Sequence, residues 1–329
     1  MAETRPSWTL AHRFGAAMLV LIFAVGLLAP WIVPYSPSEQ LDARGGQLQP
    51  PGTKLWAVQT RNRWYLVEDF ERTGEGLRFA YFGGERYLAS SEVLNLTADG
   101  VGDSRVFLFG SDKFGRDVLS RVIYGARISL FIGLTSVLLA VSIGGTVGAL
   151  AGLLGGWIDS LLMRIVDGLL SFPWFFLLIG MMAVFPLGPL TLILVLGSTT
   201  WMSISRIVRG EILSLREQDF VVAARGFGGG PLYILRRHLL PNVFGPVLVA
   251  ATLQIGPLIL AEAALSFLGF GIAPPTPSWG EMIATGRYQL STAWWIATFP
   301  GLALVATVVA INLVGDGLRV WFNPAGKEA

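Results

Sequence analysis

Long apolar stretches are the feature of this sequence that most restricts its fold. A membrane-spanning helix needs about 20 mostly apolar residues. Stretches of that length or longer occur at Phe14–Val33, Ile128–Ile158, Gly168–Ser205, Val243–Phe270 and Trp294–Val314. Charged residues make up only 14% of the chain, whereas soluble domains average about 25%. The sequence therefore predicts an all-α polytopic membrane protein.

Two of these stretches need interpretation before the spans can be counted. Gly168–Ser205 is too long for one helix, and the segment PLGP at 186–189 is expected to divide it, because paired prolines and a glycine end helices. The first stretch resembles a cleaved signal peptide in position, but it is long and has no clear small-x-small cleavage site. We favour a retained span, and six spans in total.

Basic residues indicate which side of the membrane each loop occupies. Most of them fall on one face: Arg206, Arg209, Arg216, Arg225, Arg236 and Arg237 between spans four and five, with Arg5, Arg13, Arg164, Arg319 and Lys327. By the positive-inside rule this face and both termini are cytoplasmic. An opposing group lies near span two (Lys113, Arg116, Arg121 and Arg127). It follows a long external segment, where the rule is weak.

Residues 36–110 differ in character from the rest of the chain. Stretches such as RWYLVEDF and LRFAYFGGERYLA are short, aromatic and partly alternating, with glycine or asparagine between them. This pattern is typical of short strands joined by turns. We expect a small β-rich extracytoplasmic insert between helices 1 and 2, which either is a passive ordered loop or helps to receive substrate or a donor protein.

The sequence gives no indication of several kinds of catalysis and ligand binding. The chain has no cysteine and two histidines, so thiol catalysis and a histidine metal cluster are not expected. It has no G-x-x-x-x-G-K-[ST] loop, no G-x-S-x-G and no H-E-x-x-H. The net charge of +2 is too small to indicate nucleic-acid binding. We expect a non-enzymatic chain that binds no cofactor or metal itself.

The most polar segment within the hydrophobic half is residues 211–241, which we call the polar loop. Asp219 suits the N-cap of a short helix whose face carries Phe220, Ala223, Ala224 and Phe227. Gly228 and the two glycines after it are expected to end that helix, and Pro231 to begin a second one. Leu232, Leu235 and Leu239 form a stripe, and Pro241 is expected to end the second helix. Two amphipathic helices joined by a hinge fit either a docking element or an interfacial helix lying on lipid headgroups.

The sequence VAARGFGGGPLYILRRHLLPN resembles the cytoplasmic EAA loop of ABC-importer permease subunits. Ala223, Ala224, Gly228, Leu240 and Pro241 match that pattern, while Val222 and His238 replace the usual glutamate and isoleucine. FGSDKFGRDVLSRVIYGARISL, GGWIDSLLMRIVDGLLSFP, EAALSFLGFGIAPPTPSWGEMI and NLVGDGLRVWFNP are similar to other segments of dipeptide, oligopeptide and nickel importer permeases. The resemblance covers the first span and residues 109–324.

This resemblance implies a set of partners and a mechanism. The partners would be a second, unlike permease subunit, two cytosolic ABC ATPases, an extracytoplasmic substrate-binding protein and membrane lipid. ATP and Mg²⁺ would be held by the ATPases, in agreement with the missing phosphate-binding loop. The location would be a bacterial plasma (inner) membrane, and the cargo would be dipeptides or oligopeptides. Alternatives are the same machinery with nickel chelates or oligosaccharides, and a stand-alone channel or secondary carrier.

Candidate site residues follow from the motifs and from charge placement. ATPase coupling is assigned to Asp219, Ala223, Ala224, Arg225, Gly228, Pro231, Arg236, Arg237, His238 and Pro241. Glu262, an intramembrane carboxylate, and Ser266 are candidates for the pathway or for pairing with the second permease. Asp112, Arg116, Asp117 and Arg121 lie at helical spacings of three to five outside span two, and they suit an external gate or a self-satisfied charge cluster.

The sequence also predicts where the domains begin and end. Residues 1–35 form a cytoplasmic tail and the first span, and residues 36–110 the insert. Residues 111–322 form a permease core with five spans and the polar loop 211–241. Residues 323–329 form a second cytoplasmic tail.

Overall fold

The computed structural model describes residues 8–97 and 100–322. The predicted tail 323–329 and the basic residues Arg5 and Lys327 lie outside the described residues. The helices of the described part are α1 (Leu10–Leu27), α2 (Ala29–Ile32), α3 (Val118–Leu154), α4 (Gly156–Leu170), α5 (Trp174–Val184), α6 (Pro189–Leu215), α7 (Asp219–Gly226), α8 (Pro231–Ile234), α9 (Leu240–Phe267), α10 (Trp279–Gly286) and α11 (Trp295–Phe322).

The described chain contains five apolar helical segments long enough to span a membrane, or six if one bent helix pair is counted, so the protein is a mostly helical polytopic membrane protein. Helices α1, α3, α6 and α11 are long and apolar enough to cross a membrane, as is the continuous segment Pro231–Phe267. Helices α4 and α5 are bent by 83° and count as a sixth span only if the pair is taken together. The predicted break at 186–189 is confirmed, because α5 ends at Val184 and α6 begins at Pro189.

The second span begins earlier than its apolar stretch predicts. Helix α3 starts at Val118, ten residues before the predicted start at Ile128, and therefore includes Arg121 and Arg127. Arg121 is almost completely buried and ion-paired. The length of an apolar stretch underestimates a span whose first turns carry such paired charge. The helix ends at Leu154, before two positive-φ glycines, which is four residues before the end of the apolar stretch at Ile158.

Within the described residues the strands all lie between 53 and 107: β1 (Thr53–Gln59), β2 (Trp64–Val67), β3 (Glu71–Thr73), β4 (Gly76–Tyr81), β5 (Gly84–Ala89), β6 (Leu96–Thr97), β7 (Gly100–Val101) and β8 (Ser104–Phe107). They form antiparallel sheets of order β2-β1-β8, β3-β4-β5 and β6-β7. Along β4, Leu77, Phe79 and Tyr81 are buried while Arg78 and Ala80 are exposed. This alternation gives the small sheets a one-sided apolar core.

Asp42 fixes one edge of that core with two hydrogen bonds. Its Oδ2 accepts from the Leu66 N–H at 3.0 Å, and its Oδ1 accepts from the Tyr81 hydroxyl at 2.9 Å. Burial, together with the hydrogen bond to Asp42, raises the pKa of Tyr81 above its usual range. The hydroxyl therefore remains a donor at neutral pH.

The described chain divides into two compact units. One contains Phe23–Ile128 and Ile272–Ala303, and the other is built mainly from Ser129–Gly271 with the region after Leu304. The first unit therefore extends beyond the predicted insert and takes in the start of α3 and helix α10.

Small residues bring α3 and α6 into backbone contact. A Cβ atom at Gly144 would clash with the carbonyl oxygen of Trp201, and one at Gly148 would clash with that of Ser205. The two glycines are four residues apart and share one helix face. Close packing of this kind stabilises helix pairs in membranes, where burial from water contributes little.

Candidate functional site

The first helix of the polar loop, α7, begins one residue earlier than predicted. Gln218 is its N-cap and makes no side-chain capping bond, while Asp219 is the first helical residue. The predicted N-cap role of Asp219 is therefore wrong. Its carboxylate still lies in the first turn, where it favours the helix because of the positive end of the helix dipole.

A Schellman motif ends α7 at the predicted hinge. The Gly229 N–H donates to Ala224 O and the Gly228 N–H donates to Arg225 O, both at 3.0 Å. Gly228 has a φ of 85°, which side chains with a Cβ adopt only with strain. The hinge is thus a defined turn that requires glycine at 228.

The second helix differs from the prediction at its end. It begins at Pro231 as expected, but it continues through a π-helical turn, Leu235–Leu239, into α9. Pro241 therefore does not end a helix. In the π turn the Leu240 N–H reaches back five residues to Leu235 O. Pro241 follows directly, where the hydrogen-bond register changes, so its missing N–H is tolerated.

Three buried side chains anchor the polar loop to the membrane helices. Val221 of α7, Ile234 of α8 and Leu239 of the π turn pack in one core with Val208 and Ile212 of α6. The predicted stripe is only partly correct, because Leu232 is 57% exposed. The π turn changes the register, so Ile234 rather than Leu232 shares the buried face with Leu239.

The opposite surface of the loop is exposed and carries both apolar and basic groups. Phe227, at the hinge, is 93% exposed. Ala223 is exposed, and Ala224 is half-buried. The His238 ring lies 6.1 Å from that of Phe220 and 5.7 Å from that of Tyr233, so it connects the two short helices.

The basic residues of this surface are free to bind a partner. Arg225, Arg236 and Arg237 are exposed, and in the part of the chain that the structure describes they form no ion pair. An exposed arginine fork is suited to carboxylates of another protein. The predicted coupling residues lie along α7, the hinge and the helix that begins at Pro231, except that Pro241 lies beyond the π turn.

Sequence reasoning missed two ion pairs that connect α4 to α6. Arg209 binds both carboxylate oxygens of Asp159, with its Nε at 2.5 Å from Oδ1 and its Nη2 at 2.7 Å from Oδ2. Arg206 pairs with Asp167. All four residues were visible in the sequence, but the arginines were counted only as orientation signals.

Glu262 lies in α9, inside the unit built mainly from Ser129–Gly271, and its side chain is completely buried. Its Oε1 accepts from the Ser266 hydroxyl at 3.0 Å and its Oε2 accepts from the Ser129 hydroxyl at 3.4 Å. Both oxygens are therefore occupied by hydroxyls of α9 and α3. The carboxylate therefore exposes no atom for contact with cargo or with a second permease. The geometry instead favours a contact between two helices of this chain.

Three of the four charged residues predicted as an external gate or charge cluster form part of a buried network. Asp112 Oδ2 lies 2.6 Å from Arg116 Nε and 3.6 Å from Arg121 Nε, and Arg121 Nη2 lies 2.7 Å from Glu281 Oε2. Their spacing is not helical as predicted, because residues 112–116 form a turn at Gly115, which has a φ of 73°. Glu281 of α10 is a member that the sequence did not reveal.

Asp117 caps α3 rather than joining the ion pairs. Its Oδ2 accepts from the Ser120 N–H at 2.7 Å and from the Ser120 hydroxyl at 2.6 Å. Its Oδ1 is buried and has no hydrogen-bond partner among the described residues. Burial raises the pKa of this carboxyl, against the lowering effect of the Ser120 hydrogen bonds.

Replacing Arg121 by methionine tests the network. The change leaves Asp112 and Glu281 as buried carboxylates that have lost a cation, so we expect a loss of about 3–5 kcal/mol of stability. Thermal unfolding in detergent, followed by tryptophan fluorescence, measures it. Lys113→Met, at an exposed neighbouring position, should change stability by less than about 0.5 kcal/mol. Equal melting temperatures for both variants would show that the network contributes little.

Within the described residues, no group of three or more histidine, aspartate or glutamate side chains could hold a metal ion. The chain is a multi-span membrane protein with an exposed turn between two short helices that are anchored to its spans.

Comparisons with known proteins identify the class. Residues 144–327 match the family model described as "Binding-protein-dependent transport system inner membrane component". Residues 13–51 match "N-terminal TM domain of oligopeptide transport permease C". The first match covers more than half of the chain, so the chain belongs to the family of binding-protein-dependent transport system inner membrane components. The resemblance seen in the sequence motifs is confirmed.

Curated relatives and a solved structure agree with this assignment. The chain is 36% identical to the di/tripeptide transport system permease protein DppC of Pseudomonas aeruginosa (strain UCBPP-PA14) over 324 residues, which cover 97% of this chain and 91% of the relative. It is 47% identical over 225 residues to a putative peptide transport system permease protein of Brucella suis biovar 1 (strain 1330), covering 67% and 74%. An inward-facing MetNI methionine ABC transporter has a TM-score of 0.51 at 22% identity, covering 62% of this chain and 97% of that one, which shows a shared fold.

Proposed function

We propose that this chain is the membrane-spanning permease subunit of an ATP-driven importer of dipeptides or oligopeptides. The observation that carries the proposal is the polar loop, whose inner face is anchored by Val221, Ile234 and Leu239 while Phe227 projects from the hinge. The cargo is inferred from the relatives, which are named as peptide permeases. The chain itself contributes no catalytic residue.

The loop is built to transmit displacement to two spans. Helix α6 leads into α7 after a gap of three residues, and α8 continues through the π turn into α9. The Schellman turn fixes the angle between the short helices. A push on the exposed surface therefore moves α6 and α9 together, which can bias an inward-facing against an outward-facing state.

The partners follow from what this chain lacks and what it exposes. Two cytosolic ATPases would hold ATP and Mg²⁺ and would receive the polar loop, with Arg225, Arg236 and Arg237 facing acidic groups. A second, unlike permease would complete the pathway, and an extracytoplasmic binding protein would deliver the peptide. In this proposal the polar loop and both termini would lie in the cytoplasm of a bacterium, on the inner face of its plasma membrane.

The strands at 53–107 would then form a β-rich insert on the extracytoplasmic side, between the first and second spans. Support comes from their position in the chain, between α2 and α3. The buried network around Arg121 lies at the outer end of the second span in this orientation. It would brace α10 against α3 rather than act as an open gate, because its charges are already paired.

Charge reversal at Arg236 tests the docking proposal. In membranes that contain both permeases and the ATPases, Arg236→Glu should weaken ATPase binding by roughly tenfold, because an attractive contact becomes repulsive. Quantitative co-purification at several salt concentrations measures this. Arg127→Glu is the matched control, since Arg127 is also exposed but lies at the other end of the spans. Equal ATPase retention by both variants would remove the polar loop as the docking surface.

A further inference from the structure

Two cavities in the unit built mainly from Ser129–Gly271 are both lined by the same two polar residues. A cavity of about 420 Å³ lies among α6, α9 and α11, and one of about 480 Å³ lies among the α4–α5 bend, α6 and α9. Ser203 of α6 and Gln254 of α9 line both. Both residues lie inside helices apolar enough to span a membrane.

Most hydroxyls of these helices are satisfied by their own backbone. Thr199 and Thr200 of α6 donate to carbonyls of the preceding turn, and Thr252 of α9 does the same at 2.8 Å. Such bonds allow a hydroxyl to face lipid at little cost. The Ser203 hydroxyl and the Gln254 amide differ, because across residues 8–97 and 100–322 neither side chain makes a hydrogen bond.

A backbone acceptor lies next to Gln254. Pro257 lies inside α9 and has no N–H, so the carbonyl of Leu253, four residues earlier, lacks its normal helical donor. Leu253 and Gln254 line the 420 Å³ cavity, and Pro257 lines the 480 Å³ cavity. An amide or carbonyl group without a hydrogen-bond partner is strongly unfavourable in hydrocarbon. These groups therefore need water or a polar ligand in the assembled transporter.

Charges of both signs also line the 420 Å³ cavity. Glu211 and Arg319 are both part of its lining, yet within the described residues they form no ion pair with each other or with another group. Unpaired charges at a membrane helix end require hydration. Hydration of Glu211 and Arg319 would bring water into this end of the cavity, next to the neutral hydrogen-bonding groups of Ser203 and Gln254.

We infer that Gln254, with Ser203 and the Leu253 carbonyl, forms a contact site for the backbone amides of the cargo. A glutamine side chain has one carbonyl and one NH₂ group, so it can pair with a peptide group as another peptide group does. Neutral recognition of this kind holds a peptide through its backbone and accepts many side chains. The inference rests on the proposed peptide import and assigns the residues that contact the backbone of the cargo.

Solvent access to Gln254 can be measured because the chain has no cysteine of its own. Single variants Gln254→Cys, Ser203→Cys and Leu260→Cys are prepared in the complete transporter and treated with a charged, water-soluble thiol reagent. Leu260 is the control because it is exposed on α9 and lines neither cavity. We expect the first two cysteines to react at least about tenfold faster, since only a hydrated thiol forms a thiolate. Equal, slow labelling of all three would overturn the inference, because these positions would then face lipid or the second permease.

Transport kinetics distinguish this inference from the function on which it rests. In proteoliposomes with a tripeptide as cargo, Gln254→Leu should raise the KM for uptake by roughly fivefold or more, since a peptide group loses its partner. Gln254→Asn should restore part of the affinity. Wild-type uptake with an unchanged KM in Gln254→Leu would overturn the amide contact alone. Absence of tripeptide uptake by the wild-type complex would overturn the proposed cargo and the contact together.

Discussion

Replacing Gly148 by leucine is expected to prevent the protein from assembling into its folded form. Any side chain at 148 meets the carbonyl oxygen of Ser205 and the side chain of Val208, so α3 and α6 must separate. Overpacking of a core costs about 1–3 kcal/mol even where only side chains move. Here the obstacle is backbone, and we expect a larger loss. Size-exclusion chromatography of detergent-solubilised protein, with thermal unfolding of any folded fraction, measures the effect.

Gly145 provides the matched control on the same helix. A Cβ atom there meets nothing within 4 Å, so Gly145→Leu should give the wild-type elution profile and a stability within about 0.5 kcal/mol of wild type. The comparison isolates the contact between helices from the general effect of removing a glycine. Similar yields of folded protein from both variants would show that α3 and α6 do not pack through this face.

Gly228→Val is expected to uncouple the transporter while leaving the spans intact. The positive φ at 228 disfavours any residue with a Cβ, and a β-branched residue is the most strongly disfavoured. The Schellman turn should open and change the angle between α7 and α8. We expect normal membrane insertion, but loss of most ATP-dependent uptake. Uptake into proteoliposomes, normalised to the amount of inserted chain, gives the measurement.

Gly230→Val separates the hinge geometry from side-chain bulk. Gly230 has an extended backbone, with φ −71° and ψ 160°, and a Cβ there meets nothing within 4 Å. An extended conformation is also the one favoured before Pro231. This variant should keep most of its uptake. If Gly228→Val were as active as Gly230→Val, the fixed turn would not be required for coupling.

The positions of proline and glycine, together with the apolar stretches, were enough to predict much of the membrane-spanning part. The prolines at 186–189 marked a break, and Gly228 and Pro231 marked the hinge, because proline and glycine act on the backbone at their own position. Five of the six predicted spans correspond to long apolar helices, whereas the third falls on the bent pair α4–α5. These signals are local, so one sequence suffices to read them.

Features that depend on distant residues were not predictable in the same way. Arg121 pairs with Glu281, 160 residues away, and Arg209 with Asp159, 50 residues away. Charge spacing alone suggested a helix for Asp112 and Arg116, whereas Asp112 accepts backbone N–H bonds from Phe114 and Arg116 and forms a turn. A short polar side chain can form its hydrogen bonds in either a helix or a turn, so charge spacing did not distinguish the two.

The π turn was the local feature that sequence reasoning missed. Proline at 241 normally indicates a helix end, but a change of hydrogen-bond register at Leu235–Leu239 lets the helix continue. In the proposed function this continuity matters, because it connects the hinge directly to α9. With it, displacement of the polar loop reaches the cavity-lining residues of the same helix.

Peptide uptake with and without the ATPase subunits tests the central claim most directly. Proteoliposomes would contain this chain, the second permease and the binding protein, with the ATPases either present or omitted, and ATP supplied on the side of the polar loop. We expect accumulation of a labelled tripeptide only when the ATPases and ATP are both present. Undiminished accumulation without the ATPases would contradict the account, because the chain would then transport without receiving work through its polar loop.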